Sequence, residues 1–215
     1  MGLSALIRTA DEWNADLIIV GAQGHSVWGG RLILGSVSQR VLYEASCSVR
    51  VARGRLRQPN VPLRIVVGVD NSAFSNAAVD AVARREWPNG TQVRLLTVVD
   101  TVMAIASDLS ERSIMKWVAT EDENNWDQIR ETFKPLVDKL RTVGLHAELK
   151  IRRGNPNDEI VEEAEGWEAD CIFVGAKGTR GIARLLLGSV SSAVSARAHC
   201  SVEVVRPKRS GSAGT

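Results

Sequence analysis

Two glycine-bearing stretches separated by nine residues are the part of this chain best suited to chemistry. They are Gly175-Ala176-Lys177-Gly178 and Gly188-Ser189-Val190-Ser191. The first follows the apolar run Cys171-Ile172-Phe173-Val174, which reads as a buried strand. Glycine lets the backbone approach a ligand closely, and Ser189 opens a helix whose free N–H groups and dipole favour an anion. A loop and a helix start converging on one point form a cradle of backbone amides suited to phosphate. Either stretch alone also reads as a tight turn or an ordinary serine cap, whereas both together after an apolar strand favour phosphate binding. Neither G-x-x-x-x-G-K-[ST] nor G-x-G-x-x-G is present, so this is neither a Walker loop nor a dinucleotide fingerprint. Lys177 reads either as a contact to a terminal phosphate or as an exposed loop lysine. His25, His146 and His199 stand at no recognisable spacing to carboxylates, so no acid–base pair is legible.

The elements that position these residues alternate between strand and helix. The run Leu63-Arg64-Ile65-Val66-Val67-Gly68-Val69-Asp70 is a β-branched strand ending in turn chemistry, and Asn71 or Ser72 caps a helix reaching about Glu86. Gln92 to Val99 is a second strand, followed by a loop and broken helix from Val102. The stretch 121–143 is amphipathic, with Trp126, Ile129, Phe133, Leu136, Val137 and Leu140 at helical spacing. Pro135 is expected to kink it and Gly144 to end it. His146 to Arg152 is a third strand, and Asn155-Pro156 supplies the cap and first residue of the next helix. Asp170 to Ala176, a helix from Ser189 to about Ala198, and a last strand Ser201 to Arg206 complete the series. This alternation predicts an α/β fold, an open parallel sheet with helices on both faces. Ligands in such folds sit where the winding reverses, and both 2-1-3-4-5 and 3-2-1-4-5 orders are compatible with the pattern. In the order 3-2-1-4-5 the reversal lies between the first and fourth strands, whose carboxyl ends are Asp70 and Gly175. Asp70 is thus a second candidate ligand group, with capping of the following helix as its other reading.

The first fifty-odd residues are an incomplete copy of the last fifty-odd. Glu12-Trp13-Asn14-Ala15-Asp16-Leu17-Ile18-Ile19-Val20-Gly21 recurs as Gly166-Trp167-Glu168-Ala169-Asp170-Cys171-Ile172-Phe173-Val174-Gly175. Equivalent residues differ by 154 up to the second glycine and by 153 beyond it. Solenoid repeats have periods of roughly 20–50 residues, so this is a duplicated domain. The expected organisation is the back half of a domain over 1–53, a linker over 54–62 with Pro59 and Pro62 at its end, a complete domain over 63–206, and a disordered Ser/Gly-rich tail over 207–215.

With 27 basic and 25 acidic side chains the chain carries no general nucleic-acid footprint. Its three cysteines lie at neither metal nor redox spacing, which predicts buried thiols in a reducing compartment. There is no signal-peptide pattern and no apolar run of the roughly 20 residues a membrane span needs. The expectation is a soluble, cytoplasmic protein with no membrane or nucleic-acid partner.

The spacing G-x2-G-x9-G-S after a strand ending in Val-Gly, with Val69-Asp70 and Leu95-Leu96-Thr97-Val98-Val99-Asp100, resembles the universal stress protein family. The resemblance covers 63–206 as a whole domain and 4–53 as the back half of one. It implies the adenine nucleotide alpha hydrolase-like sheet, order 3-2-1-4-5, five strands per complete unit, and ATP as cofactor with Mg2+ as an optional companion. Carried over by position, Asp70 lies near adenine and ribose, and the backbone of Val98 contacts adenine. Gly175, Gly178, Gly188, Ser189, Val190 and Ser191, with Lys177, wrap ribose and phosphates. The first copy lacks an aspartate and valine, so no second nucleotide site is expected there. The resemblance also implies edge-to-edge pairing through last strands, Val49 to Arg53 antiparallel to Val202 to Arg206, and a homodimer through last-strand or exposed half-domain edges. The strand Leu17 to Val20 then lacks a neighbour and should recruit another chain or be unstable, and a truncated gene or misplaced start codon is a further account of it. The functional expectation is a non-enzymatic ATP-binding module in stress response. The alternatives are a slow ATPase or autophosphorylating protein, and an interaction module with a degenerate pocket.

Overall fold

The computed structural model describes residues 3–22, 34–54, 61–99, 123–178 and 187–207. The half unit comprises α1 (Leu3–Glu12), β1 (Leu17–Gly21), α2 (Ser36–Glu44) and β2 (Ser48–Ala52). The complete unit begins with β3 (Arg64–Gly68), α3 (Ala73–Ala83), β4 (Gln92–Val99) and α4 (Glu123–Thr142). It continues with β5 (His146–Arg153), α5 (Pro156–Gly166), β6 (Cys171–Gly175), α6 (Ser189–Arg197) and β7 (Ser201–Val205). The loop and broken helix expected from Val102, Trp117, His25 and the tail from Lys208 onward lie outside the described residues.

Local chemistry sets the helix ends. Ser72 caps α3, its Oγ accepting from Ser75 N–H at 3.1 Å, and the helix stops at Ala83, three residues short of the expected Glu86. The Asn155 side chain accepts from Asn157 N–H at 2.9 Å, and Asp158 and Glu159 in the first turn of α5 complement its dipole. The α4 helix runs through Pro135 as one element, and Gly144, at φ +83°, turns the chain out of it. The duplication extends to strained backbone: the equivalent turn residues Asn14 and Glu168 both take left-handed conformations, at φ +49° and +51°.

The strands form one seven-stranded sheet in the order β1-β2-β7-β6-β3-β4-β5. Within 63–206 that is third, second, first, fourth, fifth, and these five strands are parallel. The half unit continues the sheet: β1 pairs parallel with β2, and β2 pairs antiparallel with β7. Val49 lies opposite Val204, Arg50 opposite Glu203 and Val51 opposite Val202, the edge pairing implied by the resemblance. Within the chain, β7 is flanked by β6 on one side and β2 on the other.

The two faces of the sheet differ. On one face a single apolar core runs from the half unit (Ile18, Val41, Leu42, Val49, Val51) into the complete unit (Val66, Ile160, Ile172, Val194, Val202, Val204). On the other face, α3 and α4 cover Ile65, Val67, Val93, Leu95 and Phe173, and that core belongs to the complete unit alone. Ile65, Val66 and Val67 are fully buried, as central parallel strands are when both faces are covered. Ile19, equivalent to the fully buried Phe173, is 60% exposed, since among the described residues of the half unit no helix corresponds to α3. Trp13 is 80% exposed, whereas its equivalent Trp167 lies 4.0 Å beneath the Arg94 guanidinium. Two further described tryptophans are also packed: Trp87 lies edge-to-face on Phe173, and Trp126 lies 5.0 Å from Arg153.

A polar cluster fastens α5 to the far side of the sheet. Glu163, only 3% exposed, accepts from Arg94 at 2.5 Å, Lys150 at 2.9 Å and Arg152 at 2.9 Å. Burial opposes the charge on Glu163, but hydrogen bonds and charge from Lys150 and Arg94 outweigh it and hold the carboxyl below its ordinary range. A carboxyl depressed in this way stabilises the fold above its unfolded value, and the contribution disappears as pH falls through the folded value. Glu163→Gln, which leaves three cations around a neutral amide, should cost about 3 kcal/mol in urea denaturation at neutral pH. The gap between variant and parent should narrow as the pH drops below the carboxylate range. Equal stability at neutral pH would show that the cluster contributes nothing net.

Candidate functional site

The strands β3 and β6 are parallel neighbours, with Val67 opposite Phe173. The winding reverses between them, since β3 continues to β4 on one side and β6 to β7 on the other. Ligands of such sheets bind in the crevice beyond the carboxyl ends of the strands at this reversal. Asp70 and Gly175 flank it.

Asp70 is oriented by the turn that leads into α3. Its backbone N–H donates to Ser75 Oγ at 3.3 Å, and its Oδ1 accepts from Ser72 N–H at 3.1 Å. Asn71 takes φ +63°, the left-handed conformation that asparagine tolerates, and reverses the chain. Ser72 is therefore the helix cap, and the Asp70 carboxylate forms the Asx turn preceding it. Its Oδ2 lies toward Gly178, 2.5 Å from where a Cβ on that glycine would stand. Side chain and loop thus meet, and any side chain at 178 would press on the carboxylate.

Val98 enters through its backbone. Val69 N–H donates to Leu96 O at 2.9 Å, and Gly154 N–H donates to Val99 O at 3.0 Å. Leu96 thus faces β3 and Val99 faces β5, so the alternation of the strand turns the N–H and C=O of Val98 toward the β3 side. Gly68 is in register with Leu96, which sets Val98 level with position 70, past the end of β3. The Val98 side chain packs into the core.

The glycine loop is fixed by one carbonyl. Ala176 O accepts from Gly188 N–H at 2.7 Å and faces Ser191 Oγ at 3.1 Å, while Ala176 N–H donates to Val205 O at 2.9 Å. Ser191, 2% exposed, is turned inward, its hydroxyl also 3.0 Å from Gly188 O. In this arrangement the hydroxyl ties the loop to the start of α6. The half unit repeats the glycine part of the device, Gly35 N–H donating to Ala22 O at 2.8 Å, but its serine differs: Ser38 Oγ donates to Gly21 O at 2.6 Å, one residue earlier in the loop. Gly188 caps α6 without a side chain, so no cap side chain covers the first-turn amides of Ser189 and Val190. Ser189 and Gly178 are exposed, Lys177 and Val190 half-buried.

The glycines differ in what they permit. A Cβ on Gly175 would stand 2.6 Å from the Phe74 carbonyl carbon, so this glycine lets α3 approach β6. A Cβ on Gly188 would meet Ala176 O at 3.3 Å and the Lys177 Cα at 3.5 Å. Phe74 and Ala176 are the positions that sequence reasoning missed, because both act through backbone and neither residue type signals it.

Other reactive groups stand apart. Burial pushes the Cys171 thiol up to about 12 and the Cys200 thiol up to about 11, so neither supplies a thiolate at neutral pH. His199 lies 3.6 Å from Glu165 at the surface. Among the described residues no group of His, Cys, Asp and Glu could hold a metal ion. No helix among them is long and apolar enough to cross a membrane.

The universal stress protein family matches this chain over residues 4–53 and 63–206. The chain belongs to that family. A universal stress protein of Mycobacterium tuberculosis is 31% identical over 211 residues, which is 94% of this chain and 66% of the relative. One from Methanocaldococcus jannaschii is 30% identical over 159 residues, covering 70% of this chain and 86% of that protein. The chain spans 54% and 63% of the length of its relatives from Synechocystis and Mycolicibacterium smegmatis. Among solved structures, a universal stress protein from Archaeoglobus fulgidus superposes with a TM-score of 0.59 at 21% identity, over 95% of this chain and 64% of that one. The hypothetical protein MJ0577 gives 0.58 at 24% identity, over 68% of this chain and 97% of that one. These structural likenesses show the fold.

The universal stress protein glycines make separable predictions. Gly175→Ala forces α3 off β6 and should destabilise the chain by about 2 kcal/mol in thermal or urea unfolding. Gly178→Ala presses only on one exposed carboxylate and should stay within about 0.5 kcal/mol of the parent. Equal losses would show that the two positions are not distinguished by packing.

Proposed function

We propose that the complete unit of this universal stress protein binds ATP at the β3/β6 crevice and acts through that occupancy, without turning the nucleotide over. The observation that carries the reading is the convergence of three independent elements on one crevice. These are the Asp70 carboxylate against Gly178, the backbone of Val98 directed past the end of β3, and the α6 N-terminus capped by Gly188. Asp70 would take the ribose hydroxyls, Val98 the adenine edge, and the amides of Gly178, Ser189 and Val190 the phosphates. Lys177 sits within the loop and would face the terminal phosphate. Ser191, Gly175 and Gly188 would hold that surface in shape. Family membership and the residue types at these positions support the assignment. The non-catalytic reading rests on the chemistry of the donors: one carboxylate and backbone amides can hold and orient a nucleotide. The half unit keeps the loop device but has no counterpart of Asp70 or Val98, so the expected stoichiometry is one.

The test is to denature purified chain and identify the released nucleotide by chromatography, with titration of added ATP by thermal shift. ATP or ADP near one per chain is expected, with Asp70→Ala weakening affinity by about tenfold or more and Gly178→Val blocking the loop. Both substitutions avoid the Ala176 junction, which Gly188→Val would disturb. No released nucleotide together with no thermal shift would sink the proposal.

A further inference from the structure

The seam between the half unit and the complete unit is a quasi-two-fold interface that breaks its symmetry at the centre. Equivalent residues here differ by 153, so the pairs Val49–Val204 and Val51–Val202 exchange under the rotation, while Arg50–Glu203 maps onto itself. The flanks are reciprocal. Arg53 N–H donates to Ser201 Oγ at 3.1 Å, and Arg206 N–H to Ser48 Oγ at 3.0 Å. The Arg53 guanidinium donates to Ser195 O at 2.6 Å in the last turns of α6. Arg206 does the same to Leu42 O at 2.5 Å in α2. Each cation thus neutralises the carboxyl end of the other copy's helix.

On the dyad itself the two copies carry opposite charges. Glu203 is fully buried and accepts from Arg50 Nε at 2.9 Å, and bidentately from Arg85 at 2.6 and 2.8 Å. Both guanidinium groups lie by the Phe173 ring, at 5.7 Å for Arg50 and 5.3 Å for Arg85. Arg85 belongs to the complete unit and accompanies Glu203 whatever strand lies beside β7. Arg50 is therefore the residue that distinguishes partners. A second complete unit in its place would set its own Glu203 directly opposite this one, each carboxylate keeping its own Arg85 but facing a like charge in place of the cation that Arg50 supplies. Two half units would oppose Arg50 to Arg50.

From this we infer that the sign of the charge at the quasi-dyad selects the partner of β7, admitting the strand that carries a cation opposite Glu203 and rejecting a second complete unit. The inference is independent of the nucleotide reading. Its test uses the whole chain and amide hydrogen exchange in β2, with two variants. Arg50→Glu places two carboxylates on the dyad, and Arg50→Met keeps a long apolar stem without charge. Exchange across Val49–Val51 should accelerate by at least about tenfold in Arg50→Glu and by less than about threefold in Arg50→Met. Parent-like exchange in Arg50→Glu would overturn the inference, because the sign would then be immaterial. Equal acceleration in both variants would overturn it too, since loss of the contact alone would suffice.

Discussion

The antiparallel ladder between β2 and β7 is the constraint on which the rest of the molecule depends. A unit of about fifty residues buries too little surface to stand alone, and β7 without β2 would leave a row of unpaired backbone groups at a sheet edge. The ladder answers both needs, and it fixes more than backbone. Placing Val49 and Val51 in line with Val202 and Val204 makes one continuous apolar core on that face. The same register brings Arg50 to Glu203 and lets Arg53 and Arg206 reach across to the opposing helices. A slip of one residue would turn every one of these side chains to the wrong face.

The two faces then diverge for a single reason: among the described residues, no helix covers β1 and β2 on the face that α3 and α4 occupy in the complete unit. On the face shared with α5 and α6 the half unit has α1 and α2, and its residues are buried. On the face that α3 and α4 cover in the complete unit, Ile19 stands exposed where Phe173 is enclosed. The expectation that Leu17 to Val20 is short of a neighbour is met on the outer side of β1, where no described strand pairs. On its inner side β1 is held in full register by β2.

Much of this was legible in the chain because it rests on periodicity and on internal comparison. Runs such as Ile65-Val66-Val67 and Cys171-Ile172-Phe173-Val174 read as buried parallel strands since both faces must be apolar, and the duplication marks the two units, while their seam followed from the family resemblance. What was not legible acts through atoms common to every residue. Ala176 has no side chain to advertise that its carbonyl gathers Gly188 and Ser191. Gly175 reads as a ligand-facing glycine, yet the atoms a Cβ would strike belong to Phe74. Ser191 enters the candidate site by the resemblance alone, and the inward turn of its hydroxyl depends on a rotamer that no spacing reveals. The end of α3 fell short because Arg84 closes the helix before the pattern of alanines gives notice.

The duplicated glycine motif separates architecture from binding. The half unit keeps the contact of glycine amide and loop carbonyl, Gly35 N–H to Ala22 O at 2.8 Å. It again turns a serine hydroxyl into the loop, Ser38 Oγ to Gly21 O at 2.6 Å, with no described strand on the outer side of β1. That junction therefore belongs to the strand–loop–helix unit itself and is maintained where Asp70 and Val98 have no counterparts. Among the motif residues, only those facing the crevice then need a ligand to account for them: Gly178 against Asp70, and the exposed start of α6 at Ser189. A recurring G-x2-G and G-S spacing thus marks the fold, and a strand ending in an aspartate beside it is what converts the fold into a candidate site.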